Sequence, residues 1–140
     1  MPSTQILLPV FVQIVLIFAL LFWQGVLRGQ SLRSGAVSLR NVALNEPNWP
    51  TKPTQVANNF NNQFQLPILF FVIVILSQVY STTDWTMVGL AWVFVVSRIV
   101  HSYIHTSSNR FSLRFRAYTF GFLVLIVMWA VFAVKVFGVA

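Results

Sequence analysis

Long apolar runs alternate with short polar links along this chain, and their spacing predicts four helices. Residues 6–22 are apolar apart from Pro9 and Gln13 and close on Trp23 and Arg28, an aromatic and a cation suited to a membrane interface. A helix over about 5–27 follows. No charged residue precedes Ile6 and no run of small residues of the Ala-x-Ala kind follows the segment, so it reads as a retained anchor rather than a cleaved leader. Residues 28–53 are polar and contain Pro47, Pro50 and Pro53, which oppose a continuous helix and predict a loop.

The second segment is shorter on apolar residues. Its uninterrupted run, 66–76, is too short for a hydrocarbon core that takes ~20 helical residues. A helix over about 54–80 would span about 40 Å at 1.5 Å per residue and could cross. That reading makes the Asn- and Gln-rich stretch 55–65 its first half, with the amides turned to protein or to a water-filled crevice and a kink at Pro67. Helices over about 84–106 and 112–138 complete the set, and the short links imply antiparallel neighbours. The fold class expected is therefore all-α integral membrane: one domain over 1–140, an up-down bundle of four transmembrane helices.

Composition agrees with lipid as the solvent. Of the 140 residues, 57% are hydrophobic and only 8% charged, far from the roughly 25% of soluble domains. The absence of cysteine excludes a thiol nucleophile borne by the protein, disulfides and zinc–thiolate sites. A net charge of +7 resembles a nucleic-acid signature, but the placement of the cations argues otherwise. Arg28, Arg33, Arg40 and Lys52 fall in the first link, and Arg98, Arg110, Arg114 and Arg116 around the third. Only Lys135 lies on the other side. The positive-inside rule then puts both termini on the non-cytoplasmic side, with no nucleic-acid partner.

Three helical faces carry candidate chemistry. Asn58, Asn62 and Gln65 fall at i, i+4 and i+7, with Asn59 and Gln63 beside them. They read either as interhelical glue or as a polar wall for a hydrophilic ligand. Arg98, His101 and His105 share a second face, with Ser102 close by. A metal site there lacks ligands, since the only carboxylates are Glu46, in the first link, and Asp84, about 25 Å from His101 along the helix. Paired-acid hydrolysis is excluded for the same reason. Arg110, Arg114 and Tyr118, spaced by four, form a third face, while Arg116 points elsewhere. This face reads as an interfacial belt or, because it lies level with Arg28, the amides and Arg98, as part of a ring for an anionic ligand.

Two blocks of sequence resemble the membrane-associated proteins in eicosanoid and glutathione metabolism, the MAPEG family, and its bacterial branch in particular. One is residues 58–67, NNFNNQFQLP, followed by ILFF; the other is residues 97–105, SRIVHSYIH, with Asn109, Arg110 and residues 114–118. The resemblance spans all four helices. It implies a homotrimer in a bacterial inner membrane, with glutathione as thiol cosubstrate, no metal, and lipophilic small molecules as substrates. The activity implied is transfer of glutathione to lipophilic electrophiles or reduction of lipid hydroperoxides.

By the same resemblance Arg114 would stabilise the thiolate, with Tyr118 one turn on. Arg28, Asn58, Asn62, Gln65, Arg98, His101, His105 and Arg110 would hold the cosubstrate. The family's second helix usually carries basic residues before the asparagine and a glutamate three positions after it; here those places hold Asn58, Asn61 and Gln65. That difference keeps a second class open: a non-catalytic binding or scaffold protein whose basic ring holds anionic lipid or a protein partner. A small transporter or channel is a third class, less suited to a chain without an intramembrane carboxylate.

Overall fold

The computed structural model describes residues 1–43 and 48–138. Glu46 and Pro47, read above as loop residues, lie outside the described residues. Seven helices follow in order: α1 (Pro2–Gln5), α2 (Leu7–Arg33), α3 (Leu39–Val42), α4 (Thr51–Asn62), α5 (Leu66–Val79), α6 (Trp85–Thr106) and α7 (Phe111–Phe137). They make four stretches long and apolar enough to cross a membrane, Pro2–Arg33, Thr51–Val79, Trp85–Thr106 and Phe111–Phe137. No strand occurs among the described residues. The protein is an all-helical integral membrane protein.

Two boundaries differ from the expectation. The first helix was expected to stop near residue 27, but α2 runs on to Arg33 and carries Arg28 within it. Nothing between Gln24 and Arg33 breaks a helix. The stop comes at Gly35, whose φ of +77° is left-handed backbone that glycine adopts without steric cost. Lys52 and Pro53, expected in the loop, belong to α4, where Pro53 sits in a first turn that needs no amide donor.

The second correction concerns Pro67. Instead of kinking one long helix it opens a new one, lying in the first turn of α5. The chain between α4 and α5 stays hydrogen-bonded through tight turns: the amides of Gln63, Phe64 and Gln65 donate to the carbonyls of Phe60, Asn61 and Asn62 at 3.0, 3.1 and 3.3 Å. Such three-residue turns advance the chain by a different angle from an α-helix. Gln65 is therefore taken off the face that Asn58 and Asn62 share, and it is exposed.

The bundle divides along its length. Towards the end that holds Asp84, α5, α6 and α7 close on an apolar core that includes Phe70, Ile73, Met87, Phe94 and Met128, with Phe70 stacked on Phe94 at 4.8 Å. Towards the other end, α2, α4 and α6 meet around buried polar groups. Gln13 Nε2 donates to Gln63 Oε1 at 2.8 Å, and Gln63 Nε2 reaches Asn59 Oδ1 and Ser102 Oγ, each at 3.2 Å. All four residues are buried. Lipid supplies no hydrogen-bond partner, so amides at this depth must find one another.

Each end of α6 is tied down. At its start the Asp84 side chain accepts from the Met87 N–H at 3.0 Å and pairs with Lys135 of α7 at 2.5 Å. At its finish Lys52 donates to the Thr106 carbonyl and Gln55 to the His105 carbonyl, two of the groups a helix end leaves unpaired. Lys52 thus ties α4 to α6 in addition to contributing positive charge.

Replacing Gln63 with Leu leaves Gln13 and Asn59 short of partners in a medium without water. Thermal unfolding in detergent is expected to register a loss of about 1–3 kcal/mol. The double variant Gln13→Leu/Gln63→Leu is expected to recover part of that loss, because one orphaned amide is removed with it. Partial burial pushes the Asp84 carboxyl up, but its hydrogen bond from Lys135, those from the Met87 and Thr86 amides and the Lys135 charge together hold it below its ordinary value. A depressed carboxyl contributes stability above the unfolded value and loses it as the pH falls. A melting series from neutral pH downward should therefore show wild type and Asp84→Asn converging only below about pH 4.

Candidate functional site

The amide tract is sorted by the faces of α4. Asn59 points into the bundle with Gln63, as part of the network that joins α2, α4 and α6. Asn58 and Asn62 point the other way, into a cavity of about 310 Å³ between α4, α6 and the start of α7. The same helix therefore carries both the glue and the polar wall that the sequence left as alternatives.

His101 and His105 of α6 and Arg114 and Tyr118 of α7 line the rest of that cavity, with Phe111 and Phe115 as its apolar side. Four residues of the α6–α7 link set the register. Within it Asn109 takes a left-handed φ of 51°, which Asn tolerates better than most residues, and its amide donates to the Ile104 carbonyl at 2.8 Å. The Asn109 side-chain oxygen then accepts from Arg114 Nη1 at 2.7 Å. One guanidinium edge of Arg114 is thereby fixed, and the side chain borders the cavity.

Arg98 lies beneath. It is 0% exposed, and none of its three guanidinium nitrogens has a hydrogen-bond partner among the described residues. The guanidinium carbon sits 5.6 Å from the centre of the Tyr118 ring, and the His101 ring lies 5.8 Å from the same ring. Nδ1 of His101, Nδ1 of His105 and Oδ1 of Asn62 are likewise buried without a partner. A quadrupolar ring offsets only part of what a buried guanidinium loses with its water. The guanidinium of Arg98 is a donor awaiting an acceptor, which suits an anion, while Asn62 Oδ1 is an acceptor left for a donor group of the same ligand.

Of the ten residues singled out in the sequence, six line this cavity and Arg98 packs against it. Three do not. Gln65 is turned away by the break after Asn62. Arg110 does not continue the face of Arg114 and Tyr118, because it is the N-cap of α7 with extended backbone (ψ 119°) and lies outside the helical repeat. Arg28 stacks over Trp49 at 4.8 Å, and the Gln24 side-chain oxygen accepts from it at 3.0 Å in the amide orientation that satisfies both groups.

Other residues emerge only from the structure. Gln13 is the far anchor of the amide network, and its signal was a lone amide within an apolar run. Phe111 and Phe115 share the face of Arg114 and Tyr118 by simple helical spacing. Among the described residues no group of three His, Cys, Asp or Glu could hold a metal ion.

Comparison with curated proteins finds no match, and comparison with solved structures finds none either. The sequence pattern of the MAPEG family does match, over residues 6–134, nearly the whole of the four-helix bundle. That family includes glutathione transferases and related enzymes, which generally use glutathione as a cosubstrate. With four membrane-spanning helices and a family match across all of them, the chain belongs to the MAPEG family.

Proposed function

We propose that this protein is a membrane-embedded, glutathione-dependent transferase or peroxidase acting on lipophilic electrophiles or lipid hydroperoxides. The observation that carries the reading is the buried, unpartnered Arg98 beneath a cavity bordered by Arg114 and two amides. An anionic peptide thiol supplies what these groups lack: carboxylates for guanidinium and imidazole donors, and amide groups for Asn58 and Asn62. Phe111 and Phe115 supply the apolar side along which a lipophilic partner can approach.

Arg114 carries the chemistry in this reading. A guanidinium keeps its charge in a site of low dielectric and favours the thiolate over the thiol. The thiol proton leaves to solvent, and sulfur then forms a bond to the electrophilic carbon as the leaving group departs. With a hydroperoxide, sulfur attacks oxygen, the O–O bond breaks to release an alcohol, and a second thiol gives the disulfide and water. Tyr118 borders the same space and can donate a hydrogen bond to sulfur.

Arg28, Arg110 and Gln65 fit as contributions from a neighbouring copy, since none lines the cavity of its own chain. A homotrimer with sites shared between subunits accommodates this, and so does a cytoplasmic position for the basic end in a bacterial inner membrane, with both termini on the other side.

A second reading draws on a specific feature. Among the described residues no carboxylate lines the cavity, so the ammonium group of glutathione meets no anionic partner from them. A non-catalytic protein that holds an anionic lipid headgroup or a protein partner on the same cations would need none.

Arg114→Ala in the purified oligomer is expected to lower thiol-dependent turnover by about 10²-fold or more, with assembly unchanged and partial recovery in Arg114→Lys. Undiminished turnover removes Arg114 from the role. Arg98→Met tests the site without reference to turnover. Because the charge is buried and unpaired, its removal is expected to leave the melting temperature of the ligand-free protein unchanged or raised, while abolishing the heat of glutathione binding. The second reading predicts no glutathione heat in wild type and a clear one with anionic lipid.

A further inference from the structure

The opposite side of α7 borders a second cavity, which the candidate site does not use. Val93, Ser97, Val100 and Ile104 recur at helical spacing on one face of α6, and Leu113, Ala117 and Phe120 do so on α7, so the two stripes flank a trough. Its volume is about 560 Å³, and the α6 stripe from Trp92 to Ile104 runs about 18 Å at 1.5 Å per residue. Beside it α7 approaches α6 closely: a Cβ at Gly121 would lie 2.7 Å from the Ser97 hydroxyl oxygen. Val96 and Val100 on its wall are half exposed, so it opens sideways towards lipid.

Its polarity is lopsided. The Ser97 hydroxyl already donates to the Phe94 carbonyl at 2.5 Å. That leaves Arg116, near the basic end, as the one charged group bordering the trough, and it has no hydrogen bond or ion pair among the described residues. The only described carboxylate, Asp84, is engaged by Lys135 at the far end of the bundle. A second copy of the chain seated here would bring apolar surface but, among the described residues, no uncommitted carboxylate to meet Arg116. An anionic phospholipid brings both.

We infer that the α6–α7 trough is a lipid-binding site that holds one acyl chain of an anionic phospholipid, with the phosphate on Arg116. The guanidinium fork matches phosphate oxygens with two parallel hydrogen bonds. The lipid fills the outer seam of the helix pair that carries Arg98, His101 and Arg114 on its other side. It touches none of these three, so the inference stands independently of the proposed activity.

Trp92 at the deep end of the trough is a built-in reporter. The full-length protein is placed in bilayers containing phosphatidylglycerol or phosphatidylcholine with brominated acyl chains, and quenching of the Trp92 component is obtained by difference from Trp92→Phe. Half-quenching is expected at about five-fold lower mole fraction of the anionic lipid, equivalent to ~1 kcal/mol for one cation at the surface. Arg116→Gln should abolish that preference and Arg110→Gln should keep it. Equal quenching by the two lipids in wild type, or a preference that survives Arg116→Gln, overturns the inference. So does a Trp92 component that neither lipid quenches, which would mean that a second copy covers the trough.

Discussion

An amide placed within a bilayer has no water to fall back on, and the buried amides where α2, α4 and α6 meet are arranged by that fact. Gln63 stands at the centre, joined to Gln13 of α2 at 2.8 Å and to Asn59 and to Ser102 of α6 at 3.2 Å. Three helices are thereby held in one relative position by groups that have no alternative partner. The break between α4 and α5 follows from the same constraint. Pro67 cannot continue a helix through its amide, and the tight turns at residues 63–65 keep the preceding backbone bonded while the chain changes direction.

The candidate site is the other face of that arrangement. Fixing Asn59 and Gln63 inward directs Asn58 and Asn62 to the opposite side of α4, where the basic face of α6 and the start of α7 meet them. Arg98 lies at the seam between the two regions. A guanidinium buried without an acceptor lowers the stability of the fold around it, and the amides that surround the neighbouring network offer it nothing. The ligand proposed above would complete it and so account for its presence. The cavity is thus braced on the α4 side by the network behind it, and groups without partners face it from both sides, Asn62 Oδ1 on α4 and Arg98, His101 and His105 on α6.

Much of this was legible in the sequence, for reasons that differ by element. Three of the spans were readable from apolar length, because lipid admits few polar residues, whereas the second had to be extended through its amide tract to reach across. The face of Arg98, His101 and His105 was readable because α6 is unbroken from Trp85 to Thr106 and helical spacing holds throughout. Gln65 and Arg110 do not share the faces that regular spacing assigns them, because that spacing was extended across a helix break and across a cap, where it has no meaning. Arg28 was placed near a helix end that lies further on, since nothing short of Gly35 stops α2. Gln13 was seen only as an interruption, because its partner lies fifty residues away.

The basic charge of the chain therefore has several separate uses, decided residue by residue. Lys52 satisfies a carbonyl at the end of α6, and Arg28 stacks over Trp49 and donates to Gln24 while its Nε has no partner among the described residues. Arg114 and Arg116 are two positions apart on α7, about 200° around a helix of 3.6 residues per turn, and so border different cavities. One of these cavities is polar and backed by an unpaired buried cation; the other is apolar and open to lipid. If the first holds an anionic thiol and the second an anionic phospholipid, as proposed, each needs one cation at the basic end, and α7 presents them two residues apart on opposite sides.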